Sequence, residues 1–203
     1  MLLEGDNVSK IYFKVPSKDE MLYRQKLMMD PETMDYNAGY DIDIKGYDYE
    51  TGTIKRTLKE LKEDWYSKWI DKEPEKYFAY IYANNEPVGE IYYYPDGDVN
   101  GMGIIIEAKH RGKGYSYDAL MELERIAFEK NDINELTDLI PDYRVAAQKI
   151  FKKAGFIKTN VTKEYTRFGK KEVVNQLLIT KEMYFKNRKW YYERNYKKLK
   201  ESI

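Results

Sequence analysis

The chain of 203 residues carries 35 Lys and Arg against 35 Asp and Glu, one His and no Cys, with a pI near 6.7. The missing thiol excludes disulfides, thiolate metal sites and a cysteine nucleophile, and balanced charge argues against general affinity for nucleic acid or anionic membrane. The length suits one domain, no metal site is expected, and no apolar run nears the ~20 residues of a membrane span, so the expectation is a soluble, cytoplasmic protein.

Ser9 to Val15 alternates as a half-buried strand, and Ser17-Lys18-Asp19-Glu20 reads as a capping box opening a helix to about Met29. Asp30 to Gly52 shows no clear period and forms a long irregular insert rich in Asp, Tyr and Gly. A second capping box, Thr57-Leu58-Lys59-Glu60, opens a helix whose apolar face is Leu58, Leu61, Trp65 and Trp69 and which ends before Pro74. Tyr77–Ala83 and Val88–Tyr94 alternate around Asn84-Asn85-Glu86-Pro87, a hairpin signal, and Pro95-Asp96-Gly97-Asp98 turns the chain into a strand at Met102–Ile106.

A helix is expected over Tyr117–Glu129, a strand over Leu136–Ile140, and a helix over Tyr143–Ala154 capped by Asp142 and closed by Gly155. Phe156–Tyr165 and Glu172–Thr180, joined by Phe168-Gly169-Lys170, read as a closing hairpin. The tail from Lys181 to Ile203 is basic and aromatic; a terminal helix packing one aromatic side on the domain is the favoured reading, and nucleic-acid contact the alternative.

The most informative stretch is Gly103 to Leu120. A branched apolar strand runs into Arg111-Gly112-Lys113-Gly114-Tyr115-Ser116 and then a helix start, which gathers unpaired backbone N–H groups at the positive end of a helix dipole. That is a seat for a diphosphate, and the two glycines allow close approach of backbone to phosphate oxygens. The spacing fits neither of the two commonest phosphate loops. It resembles the acyl-CoA pyrophosphate loop of the GNAT superfamily of N-acetyltransferases (Arg or Gln, two residues, Gly, one residue, Gly or Ala), with Arg111, Gly114 and Ser116 in the defining places. Ala147 to Phe156, AQKIFKKAGF, is similar to that superfamily's late helix, which ends in Gly-Phe beside the pantetheine.

The resemblance implies an α/β fold over residues 1–180: a mixed, mostly antiparallel sheet splayed at the acyl-CoA site, flanked by about four helices, with 181–203 as a basic aromatic helix or tail. Acetyl-CoA is the implied cofactor, Ile104, Ile105 and Ile106 the pantetheine strand, and Arg111, Gly112, Lys113, Gly114, Tyr115 and Ser116 the diphosphate loop. Phe151 stands where the family often has a tyrosine that protonates the leaving thiolate. Tyr143, another tyrosine or solvent must then take that part, or the thiolate leaves unassisted.

Acyl transfer to an amine also needs removal of a proton from the acceptor. Glu107 at the end of the pantetheine strand, Glu90 amid apolar residues in VGEIYYY, and Asp138 in ELTDLI are the candidate bases. The only histidine, His110, abuts the glycine turn and reads as a loop residue. In the insert, Asp35, Asp41, Asp43, Asp48 and Glu50 alternate with Tyr36, Tyr40, Tyr47 and Tyr49, a composition that attracts cations; Tyr36, Tyr40 and Asp41 are the nominated acceptor contacts. The leading expectation is an acetyl-CoA-dependent N-acetyltransferase for a small cationic amine, resembling a polyamine or aminoglycoside. Protein N-terminal or lysine acetylation and a non-catalytic acyl-CoA-binding module are the alternatives. Whether the chain pairs as a homodimer is left open.

Overall fold

In the computed structural model residues 11–188 are described. Strands β1 (Tyr12–Lys14), β2 (Tyr77–Ala83), β3 (Glu86–Asp96), β4 (Val99–Ile106), β5 (Glu135–Leu139), β6 (Ile157–Arg167) and β7 (Lys170–Thr180) make one seven-stranded sheet in the order β1-β2-β3-β4-β5-β7-β6. Hairpin connections make most neighbours antiparallel. Only β4 and β5 run parallel, because a helical crossover joins them.

The helices are α1 (Met21–Met29), the short α2 (Pro31–Met34), a run made of α3 (Leu58–Glu60), a π-helical Leu61–Trp65 and α4 (Tyr66–Trp69), then α5 (Tyr115–Arg125), which continues as a π turn, and α6 (Val145–Ala154). Residues 181–188 are also helical. Alternation along β2 sorts the sheet's two faces. Phe78 and Tyr80 pack with Met21, Leu61 and Trp65 under α1 and the α3–α4 run, while Ala79 and Ile81 join Ile91, Tyr93, Leu120, Leu123, Phe128 and Leu136 under α5. Tyr184 is buried in that second core, against Phe128; most of the basic aromatic segment read as a terminal helix or tail, Lys189 to Ile203, lies outside the described residues, as do Ser9 and Lys10.

Most predicted boundaries move by a few residues, each for a local reason. The first hairpin turns on Asn84 and Asn85 alone, both at positive φ (51° and 63°), conformations Asn tolerates, so Glu86 and Pro87 belong to β3. Pro87 cannot donate to the ladder, and the register slips there: Ile81 faces Gly89 and Tyr82 faces Pro87, leaving Val88 as a bulge. Gly97 at φ 63° compresses the next turn, extending β3 through Asp96 and starting β4 at Val99. The Thr57 box forms as read, with Thr57 N donating to Glu60 Oε2 at 2.8 Å and Glu60 N to Thr57 Oγ1 at 3.2 Å. Asp142 does not cap α6. Its carboxylate is held by Lys158 at 2.8 Å, and the helix begins at Val145 after an uncapped Arg144.

Candidate active site

Strand β4 leaves its β5 neighbour almost at once. The two pair at Gly101 and Thr137 alone, and beyond that point β4 is bonded to β3 only. The β5-facing backbone edge of β4 from Gly103 to Ile106 therefore has no strand partner, in the stretch the sequence assigns to Ile104, Ile105 and Ile106, and of its groups the Ile106 carbonyl is taken by a side chain, Arg111 Nε.

The loop after β4 is tightly braced up to Arg111 and open beyond it. Glu107 N donates to the bulge carbonyl of Val88 at 3.0 Å, Ala108 N to Thr33 Oγ1 at 2.9 Å, His110 N to Glu107 O at 2.8 Å and Arg111 N to Ala108 O at 3.1 Å. The amides of Gly112, Lys113, Gly114, Tyr115 and Ser116 have no acceptor among the described residues, and the α5 ladder starts with Tyr117 N to Gly114 O at 3.2 Å. Gly112 (φ 77°) and Gly114 (φ 89°) hold the left-handed backbone that aims these donors, and a Cβ at either would meet nothing within 4 Å. Five consecutive free amides at the start of an eleven-residue helix, flanked by open space, fit a diphosphate.

Arg111 does different work from the one its position suggests. Its Nη2 donates to Thr33 O at 2.6 Å, its Nη1 to Glu32 O at 3.2 Å and its Nε to Ile106 O at 3.3 Å, with Asp35 at 3.8 Å. It ties α2 to the loop. His110 is buried, with Nε2 3.7 Å from Glu107 Oε2. Phe151 is also buried, edge-on to Phe156 at 4.9 Å in the core, so no hydroxyl comes from its place.

The three candidate bases have separate environments. Glu107 is 3.0 Å from Lys109 at the strand end, a pair of a part-buried carboxylate and an exposed lysine. Glu90 is fully buried and gripped by one nitrogen of Arg24, Nη1, at 2.6 and 2.7 Å, while the guanidinium lies 4.2 Å from the Trp65 ring. Burial raises the Glu90 carboxyl and Arg24 opposes it. A carboxylate so engaged is a structural group. Asp138 lies one residue past the point where β4 and β5 part, and among the described residues its carboxylate accepts one hydrogen bond, from the neighbouring Leu139 amide at 2.7 Å. Burial pushes it up to about 6, against that amide and Arg144. Asp138 is thereby poised to gain and lose a proton near neutrality.

Breaking the Arg24–Glu90 pair is expected to cost about 3–5 kcal/mol, because it leaves a charge buried without its partner. Arg24→Met should show this in urea melts. The sign follows from the carboxyl: without Arg24 its folded pKa rises further above the unfolded value of about 4.3, so the loss grows as pH rises from there and shrinks below it.

On the acceptor side the insert folds back onto the tip of the β6–β7 hairpin. Phe168 N donates to Gly39 O at 2.7 Å, Asp41 N to Thr166 O at 3.0 Å and Arg167 Nε to Ala38 O at 3.0 Å. Tyr40 OH meets Tyr143 OH at 3.0 Å, and Arg167 lies 5.4 and 5.0 Å from those two rings. Tyr143 thus belongs to this latch, half-exposed. Arg144 covers the Tyr36 ring at 4.4 Å. Guanidiniums of the chain itself thus lie against the rings of both nominated tyrosines, while Asp41 is exposed and has no ion pair among the described residues.

Sequence reading missed Arg24, Tyr92, Tyr94, Arg144 and Arg167. The alternation of Glu90, Tyr92 and Tyr94 along β3 was the available signal: these share a face with Trp69, which meets Tyr92 at 5.3 Å and Tyr94 at 5.6 Å. The two tyrosines lie over the glycines of β4, Tyr92 over Gly103 and Tyr94 over Gly101. The arginines depend on pairings between distant segments.

A profile of the Acetyltransferase (GNAT) family matches residues 43–156, more than half of the chain. With the parted β4 and β5 and the free-amide loop, this places the chain in the GNAT acetyltransferase family, and acetyl-CoA is the acyl donor of that family. An uncharacterized N-acetyltransferase of Bacillus subtilis (strain 168), YjdG, is 32% identical over 85 residues, 40% of this chain and 51% of that protein, so the chain spans about half the length of this curated relative. Among solved structures, spermidine N-acetyltransferase from Vibrio cholerae in complex with CoA and spermine is similar with a TM-score of 0.69 at 15% identity, over 87% of this chain and 99% of that one. Spermidine/spermine N-acetyltransferase SpeG from Vibrio cholerae in complex with manganese ions gives 0.67 at 14%, over 88% and 97%. At such identities the likeness is one of fold. No helix among the described residues is long and apolar enough to cross a membrane.

Proposed function

We propose that this protein transfers an acetyl group from acetyl-CoA directly to the primary amine of a small cationic molecule. The observation that carries the reading is the run of acceptor-free amides from Gly112 to Ser116 beside the unpaired edge of β4. When bound, the coenzyme supplies a thioester carbonyl, and with no cysteine in the chain the amine itself is the attacking group.

The loop amides hold the diphosphate, and the β5-facing edge of β4 orients the chain that follows it. Asp138 accepts the acceptor's proton, and its environment at the mouth of the splay keeps it ionised in a useful fraction above about 6. The insert supplies exposed carboxylates at Asp41 and Asp43, and the two Vibrio cholerae enzymes of the same fold are named for polyamines; both support a small cation over a protein. The test is release of free thiol from acetyl-CoA against a panel of polyamines, aminoglycosides, amino acids and lysine peptides. Thiol release with a polyamine or aminoglycoside is expected. Tight coenzyme binding with no thiol release across the panel would instead make the protein a binding module.

A further inference from the structure

The place of Tyr36 in the parted sheet points to a task beyond contact with the acceptor. Tyr36 packs in a small cluster whose buried members are Leu27, Met34 and Ile105, the last on the unpaired stretch of β4. Among the neighbours that bear on the buried Tyr92 phenol electrostatically, Tyr36 is the strongest, and the Tyr92 ring tip and hydroxyl stand 2.5 Å from where a Cβ of Gly103 would be. Tyr36 thus packs against the cluster that contains Ile105 and lies near the Tyr92 phenol, which in turn covers Gly103. The charged groups that bear on it come from separate elements: Glu90 from β3, Asp138 from β5, Arg144 before α6, and Arg111 from the loop. Its hydroxyl has no hydrogen-bond partner among the described residues, whereas that of Tyr143 is engaged with Tyr40.

We infer that Tyr36 is the proton donor to the leaving sulfur, the part for which Phe151 has no hydroxyl. The inference rests on the acetyl-transfer reading above. As the new carbon–nitrogen bond forms, the carbon–sulfur bond breaks with its electron pair passing to sulfur, and sulfur takes the phenolic proton of Tyr36. Asp138 takes the proton lost by nitrogen and returns it to Tyr36 through solvent, so no net proton is gained or lost by the protein. Burial holds the Tyr36 phenol up at about 12, with the guanidiniums of Arg144 and Arg111 pulling against it. A neutral phenol that two cations help to ionise is suited to giving a proton to a developing thiolate.

The test uses protein labelled at the tyrosine ζ-carbons, with Tyr36→Phe identifying the Tyr36 resonance. That resonance should move when coenzyme A is added and stay in place with desulfo-coenzyme A. Tyr36→Phe should bind coenzyme A as tightly as wild type by calorimetry, keep its melting temperature, and lose kcat by on the order of 10²-fold. Coenzyme binding with an unmoved Tyr36 resonance, or with kcat retained in Tyr36→Phe, would overturn the inference and leave acetyl transfer standing. Failure of the wild type to bind coenzyme A would overturn both.

Discussion

Gly114→Asp should abolish binding of acetyl-CoA, with no heat detectable in calorimetry at concentrations that saturate the wild type. Three effects act in one direction. Gly114 sits at φ 89°, a backbone conformation that costs an L residue about 1 kcal/mol or more. The added side chain enters the open space beside the free amides, where nothing lies within 4 Å. Its carboxylate places negative charge at the start of α5, where the helix dipole and the orphan N–H groups favour an incoming anion, so it competes for the donors the diphosphate needs. Because α5 still gains an acidic group near its N-terminus, the fold should be retained. Unchanged affinity would remove the loop from the cofactor site.

Asp138→Asn should lower kcat by about 10²–10⁴-fold, the usual worth of a positioned general base, while leaving coenzyme affinity unchanged. The pH dependence carries the sign. A base works when it has lost its proton, so wild-type kcat should rise as pH increases through about 6, the value to which burial brings this carboxyl. In Asp138→Asn that limb should vanish and the residual rate should be flat there. Glu107→Gln is the companion variant, since its part-buried carboxylate pairs with the exposed Lys109. If Glu107→Gln removes the limb and Asp138→Asn does not, the base lies at the end of β4 and the account of the splay is wrong.

Much of the fold could be read from residue patterns, since the strands alternate and the capping boxes at Ser17 and Thr57 follow from local chemistry. The glycine-bearing turn was legible for the same reason: Gly112, Gly114 and the start of α5 are consecutive, so their geometry is decided within a few residues. Errors arose where a distant partner decides. Asp142 is a plausible helix cap by position, but Lys158 from the next strand claims its carboxylate. Arg111 looks like a phosphate ligand beside Gly112, yet the carbonyls of Glu32 and Thr33, far back in the chain, occupy its guanidinium. Glu90 was nominated as a base because a carboxylate among apolar residues needs an explanation, and the explanation is Arg24, 66 positions away. The tyrosines of the insert show the same limit, since composition could not reveal that Arg144 and Arg167 lie against their rings.

The most direct test of the central claim is an amide spectrum of the protein with and without coenzyme A. The N–H signals of Gly112, Lys113, Gly114, Tyr115 and Ser116 should shift downfield together on binding, as donors free in the protein take phosphate oxygens. That of Arg111, already bonded to Ala108, should move little. Saturable coenzyme binding that leaves those five signals where they were would contradict the account.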